Sequence, residues 1–174
     1  MSVTDETSRT RPGATEAGWP RAEQFDPLPA DVVERWQRFG RQGFADSPAV
    51  FYPEYLGLTV DEVRAGYCRM RLTFRPELLH AGGIIHGGAM ASLLDSVLVP
   101  AIGGIVEAGS SYSTVDLHIQ YLEAVADDDC IAEGWIVRRG KRIVFGQAEA
   151  RAASTGRLLA TSALTYSVAP PRPA

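Results

Sequence analysis

A chain of 174 residues with 45% apolar side chains suits a single domain that buries roughly two-thirds of its unfolded surface without disulfide or metal staples. A formal net charge of −4 argues against a general nucleic-acid binder, and two scattered cysteines, Cys68 and Cys130, make neither a disulfide framework nor a zinc site and fit a reducing cytoplasm. No apolar run approaches the roughly 18 residues that span a bilayer, because the most apolar one, 97–106, is interrupted by Pro100, Gly103 and Gly104, so no membrane partner is expected.

In chain order, residues 1–27 lack the apolar core of a signal peptide and have the Thr, Glu, Arg, Gly and Pro content of a disordered tail. The domain is expected over 28–168. Its first element is LPADVVERWQRFGRQGF, residues 28–44, where Val32, Val33, Trp36 and Phe39 recur at helical spacing. Asp31 favours the start of that helix, and Gly40 and Gly43 end it. An aromatic connector follows, in which Phe51, Tyr52 and Tyr55 read as core filler or, with Phe44, as the lining of an acyl pocket.

From Leu58 onward one or two strands are expected. AGYCRMRLTFR alternates, with Cys68, Met70, Leu72 and Phe74 on one face and Tyr67, Arg69, Arg71 and Thr73 on the other. The run 86–102 then returns to helical spacing. Met90, Leu93, Leu94, Val97, Leu98, Ala101 and Ile102 make one broad stripe, with Pro100 set to kink the helix near its end. A helix this apolar should be wrapped by sheet.

Four strand patterns close the chain. STVDLHIQY places Val115, Leu117, Ile119 and Tyr121 on one face and Thr114, Asp116, His118 and Gln120 on the other. CIAEGWIVR, RIVFGQAEARA and RLLATSALTYSV follow, joined by the turn-like RRGKR and STGR. The tail 169–174, APPRPA, is not expected to pack. Helix, strand or strands, buried helix and a four-stranded meander together predict an α+β domain, one curved antiparallel sheet around one long central helix.

The stretch HAGGIIHGGAMASLLDS, residues 80–96, carries the chemistry. The first turn of a helix has unpaired N–H groups and a partial positive charge, which suit a developing oxyanion. Gly87 and Gly88 would let a polarised carbonyl approach those amides closely. Asp95 lies nine residues after His86, roughly 13 Å along one straight helix. Either the two features are unrelated, or they meet across a two-fold axis where each site takes amides from one chain and Asp95 from the other. Paired glycines also serve as turn and packing devices, a lone Asp also sits solvated or beside Arg, and His86 also serves as a cap.

HGGAMASLLDS resembles the HGG-x6-D signature of hotdog-fold acyl-CoA thioesterases, the phenylacetate-pathway (PaaI-like) group in particular. STVDLHIQYLEAV, the basic RRGKR turn and the closing strand are similar too, so that the likeness runs from about Tyr55 to Val168. The resemblance implies a hotdog fold, a homodimer paired through edge strands, a dimer of dimers, and hydrolysis of an acyl-CoA thioester with no cofactor. It implies that Asp95 is nucleophile or general base, that Gly87 and Gly88 supply the oxyanion hole, that His86 shapes that turn, and that Thr114 lies near the attacking water. The basic cluster Arg138, Arg139, Lys141 and Arg142 is a candidate for coenzyme A phosphates, and Arg69, Arg71 and Arg75 are a second candidate. His80 stands where the family has Asn, and a histidine there supplies a similar donor or a titrating acid. A non-catalytic acyl-CoA-binding protein and an acyl-thioester dehydratase or hydratase are the alternatives.

Overall fold

The computed structural model describes residues 22–39 and 49–171. Residues 1–21, Gly40, Gly43, Phe44 and residues 172–174 lie outside them, so the expectations that fall there are not addressed. In the described residues the helices are α1 (Ala30–Gln37), α2 (Tyr52–Leu56), α3 (Gly87–Ser96) and α4 (Leu98–Gly103). The strands are β1 (Leu58–Arg64), β2 (Tyr67–Leu72), β3 (Ser111–Tyr121), β4 (Cys130–Arg139), β5 (Ile143–Ala152) and β6 (Leu158–Ala169).

One six-stranded antiparallel sheet runs in the order β1-β2-β4-β5-β6-β3. Strands β2 to β6 all touch α3, and β1, β2, β4 and β5 touch α4, so the sheet wraps the helical pair as the apolar stripe requires. Leu93, Leu94, Val97, Leu98, Ala101 and Ile102 are fully buried against it. Cys68, Met70 and Leu72 meet them from β2, and Val144, Ala148 and Leu164 from β5 and β6. This is the α+β hotdog architecture that the sequence predicts.

Five local expectations change. The predicted long helix is two, broken at Val97 rather than near its end. Pro100 has no N–H to give and its ring crowds the carbonyl four residues earlier, which falls at Ser96. The four-stranded meander holds only for β4, β5 and β6. β3 pairs with β6 at the far edge and crosses back to β4. Val115 is not on the inner face but 62% exposed, because a bulge between Thr114 and Asp116 adds one residue and resets the alternation.

Tyr52 and Tyr55 are exposed rather than core filler, since the connector forms the short α2 on the outside of the domain. Residues 22–27 are not tail. Ala22 is buried, Phe25 stacks on Tyr67 with ring centroids 5.4 Å apart, and Pro27 bridges to Arg64. That cover explains why Tyr67 is buried on the outer sheet face, where its hydroxyl bonds Glu133 at 2.5 Å.

Candidate active site

The helix start is built as a cap. His86 is extended (φ −63°, ψ 134°), and its Nδ1 accepts from the Gly88 N–H at 2.8 Å. Its own N–H donates to the Leu78 carbonyl at 2.8 Å, which ties the turn to the preceding loop. The Gly88 amide is therefore taken, which corrects the expectation of two amides open to a substrate. The Gly87 N–H has no partner among the described residues, as the first position of a helix dictates. Its carbonyl accepts from Tyr121 Oη at 2.9 Å, so β3 holds the turn from the other side.

His80 lies beside this turn, its ring edge-on to that of His86 with centroids 6.3 Å apart. Its Nδ1 accepts from the Gly82 N–H at 2.8 Å. Both imidazoles thus spend Nδ1 on a backbone donor, and in their neutral form each carries its proton on Nε2. A cavity of about 320 Å³ opens here, lined by His80, Gly87, Met90, Tyr121, Val125 and Leu159. It is mostly apolar, with His80, Gly87, Tyr121 and Glu123 bringing polar groups to its wall.

Asp95 sits at the opposite end of α3, half-buried. Eight positions separate it from Gly87, about 12 Å of helical rise, so within one chain the two features do not meet. What meets Asp95 instead is the cross-strand pair Thr114 and Tyr166. Thr114 Oγ1 donates to Asp95 Oδ1 at 2.8 Å, and Tyr166 Oη lies 2.7 Å from both that oxygen and the Asp95 carbonyl. Burial and the neighbouring carboxylate push the Tyr166 phenol well above the ordinary tyrosine range. Tyr112, next along the inner face of β3, is pushed up to about 12 by burial.

The resemblance implies Thr114 near the attacking water, and the structure sets its hydroxyl on Asp95, while Tyr166 had no place in the sequence reading. Plain alternation points Thr114 away from the helix if Leu117 points toward it; the bulge brings both to the inner face. Tyr166 left a signal, since RLLATSALTYSV puts a phenol on the buried face with Leu164, and a buried hydroxyl needs a partner.

The basic cluster is exposed at the β4–β5 turn. Arg139 donates to the Ile105 carbonyl, while Arg138, Lys141 and Arg142 extend the charge into solvent. One row across the sheet links Arg139 to Val144, Val144 to Tyr166 and Tyr166 to Thr114. The cluster therefore lies at the same end of the sheet as Asp95. The second basic set is committed elsewhere: Arg69 pairs with Glu62 at 3.4 Å, Arg71 with Asp61 and Asp129 at 3.1 Å each, and Arg75 with the carbonyl and ring of Tyr55. Among the described residues no group of side chains suits a metal ion, and no helix is long and apolar enough to cross a membrane.

Comparison with known proteins bears on the same segment. A family model described as "Thioesterase superfamily" matches residues 82–159, which hold the capped turn, Asp95 and Thr114. Acyl-coenzyme A thioesterase 13 of Homo sapiens is 29% identical over 94 residues, 53% of this chain and 65% of that protein. The chain spans 56% to 65% of the length of the curated relatives it matches. Among solved structures, the conserved protein PA5202 of Pseudomonas aeruginosa superposes with a TM-score of 0.66 at 26% identity, over 73% of this chain and 99% of that one. A hypothetical thioesterase protein of Streptococcus pneumoniae, determined with coenzyme A, superposes with a TM-score of 0.60 at 21% identity, over 67% of this chain and 88% of that one, which speaks to the fold.

Proposed function

We propose that this chain is a thioester hydrolase of the thioesterase superfamily, whose model matches residues 82–159, and that it cleaves acyl-coenzyme A and works as a homodimer. The observation that carries the reading is Asp95. It is a half-buried carboxylate held by two hydroxyls, inside the segment that matches the family. The name of the human relative and the coenzyme A in the Streptococcus pneumoniae structure support the choice of thioester.

In this reading a two-fold axis brings Asp95 of one subunit to the capped turn of the other, because about 12 Å of helix separates them within a chain. β3 is a long edge strand with one side unpaired, which suits it to extend the sheet into a partner. The thioester carbonyl points at the Gly87 N–H, with the acyl group in the cavity beside His80 and Met90. Asp95 either accepts a proton from the attacking water or attacks the acyl carbon itself. In both cases the C–S bond breaks and the thiolate leaves and takes up a proton; on the second route a water then hydrolyses the acyl–Asp95 anhydride, so that either way the acyl group ends as a carboxylate and Asp95 is regenerated. The amide, placed where negative charge grows on the carbonyl oxygen, contributes about 3–4 kcal/mol to the transition state. Arg138, Lys141 and Arg142 receive coenzyme A phosphates at the same end of the sheet. No cofactor enters the reaction, the dimer pairs again into a dimer of dimers, and the buried free thiols fit the cytoplasm.

The test is thiol release from a panel of acyl-coenzyme A substrates. Turnover by the wild type, reduced about 1,000-fold or more in Asp95→Asn, is expected. A wild type that binds coenzyme A but releases no thiol from any member of the panel would replace this reading with a binding protein.

A further inference from the structure

We infer that Tyr166 is a positioning residue that, together with Thr114, ties down Oδ1 of Asp95 and leaves Oδ2 as the oxygen that acts on water or on the acyl carbon. This rests on the reading of Asp95 given above and names the part of the site that the sequence did not reveal.

Asp95 sits where the backbone disfavours its charge. It is the penultimate residue of α3, in the last turn, where the helix dipole opposes a negative charge. A carboxylate there needs donors, and the fold supplies two from one sheet row. Thr114 and Tyr166 are register partners on β3 and β6, and both hydroxyls converge on the same oxygen, at 2.8 and 2.7 Å. Oδ2 takes no bond from any described residue. The two oxygens of one carboxylate are thus unequal before substrate arrives.

Tyr166 does more than donate. Its hydroxyl also lies 2.7 Å from the backbone carbonyl of Asp95, so its one proton is shared between the main chain and the side chain of that residue. The ring is only 2% exposed and cannot swing away. Its raised pKa keeps the hydroxyl protonated, hence a donor, through the whole neutral range. The groups that face it are Asp95 from α3 and Thr114 and Tyr112 from β3, with Arg35 of α1 acting on Tyr112. Packing alone would be served by phenylalanine. The bulge between Thr114 and Asp116, which costs β3 a regular ladder, turns Thr114 toward the helix and completes the clamp.

Tyr166→Phe removes the hydroxyl and keeps the ring. On the best substrate of the panel its kcat should fall about 100-fold with KM changed less than about threefold, the mark of a misaimed rather than an unbound group. Thr114→Val should show the same split, and Thr114→Ser should restore kcat. The 13Cγ resonance of Asp95, recognised by its loss in Asp95→Asn, should move in Tyr166→Phe and Thr114→Val and stay in Thr114→Ser. If Tyr166→Phe does not fold, the 13Cζ resonance of Tyr166 in Asp95→Asn reads the same contact without touching the core. An Asp95 or Tyr166 resonance that ignores loss of its partner overturns the clamp, as does a kcat loss that comes with a fallen Tm and an unmoved resonance. The resonances report whether or not the chain has thioesterase activity. An inactive wild type, or an active Asp95→Asn, therefore sinks the thioesterase reading and leaves the clamp to be judged separately.

Discussion

A single histidine closes the helix start. His86 takes the N-cap position, accepts from the amide two residues on, and anchors its own N–H to the loop before it. The consequence is selective: Gly88 loses its amide to the cap while the Gly87 amide stays open. A Cβ at Gly88 would sit 3.0 Å from His86 Nδ1, so that glycine makes room for the cap. A Cβ at Gly87 would meet only the Tyr121 ring, at 3.4 Å, which is ordinary contact, so space alone does not demand glycine there. The cap bears on stability and the free amide on the proposed chemistry, and the two can be separated. His86→Ala should lower the unfolding free energy by about 1 kcal/mol, and His86→Asn, another good N-cap, should recover most of it. Urea denaturation of both variants checks this; a stable His86→Ala would mean the cap bond carries no weight.

At the scale of elements, the site depends on how closely α3 and α4 lie against the sheet. Gly134 on β4 and Gly146 on β5 face the break between the two helices. A Cβ at Gly134 would fall 2.7 Å from Val97 Cγ1, and one at Gly146 would fall 2.5 Å from Leu98 Cδ1. Both distances are below contact, so the two glycines set the depth to which the helices sink. That depth in turn brings Asp95 within reach of β3 and β6. Gly146→Ala should therefore destabilise by about 1–3 kcal/mol through overpacking, and Gly134→Ala by a similar amount. Thermal unfolding would show it; variants with unchanged midpoints would mean that Val97 and Leu98 move aside without strain. The bulge in β3 is the second elemental device, since one extra residue decides which of Thr114 and Val115 looks inward.

For the whole molecule, the decisive quantity is the separation of the Gly87 amide from Asp95 along one helix. A carboxylate and an oxyanion donor about 12 Å apart cannot grip the same acyl carbon. If a two-fold axis joins them, each active site is shared, and subunits can complement. Asp95→Asn keeps a sound amide turn, and a variant blocked at that turn, Gly87→Val, keeps a sound carboxylate. Mixed and reassociated at equal amounts, the two inactive proteins should recover about a quarter of wild-type turnover, since half the dimers are mixed and each mixed dimer has one intact site. Thiol release before and after mixing measures it. No recovery, from a mixture shown by sedimentation to contain dimers, would place both groups of a working site in one subunit.

Much of this was legible before folding was considered. Periods of two and 3.6 marked β2, the central helical stretch and the three strands of the hairpin run, because burial on one face imposes those repeats directly. HGG ahead of an apolar helix, with an aspartate inside it, left turn, cap and packing readings open, and it was the resemblance to the thioesterase signature that made it a candidate site. What the linear pattern could not hold was anything set by contact between distant segments. The place of β3 beside β6, the burial of Tyr67 under residues 22–27, and the outward turn of Tyr52 and Tyr55 all depend on which surfaces remain uncovered once the sheet has curved. Tyr166 and Asp95 are 71 residues apart, and only the register of β6 against β3, shifted by one bulged residue, brings their oxygens to 2.7 Å. Local spacing specifies which face a side chain takes, and tertiary pairing specifies what that face meets.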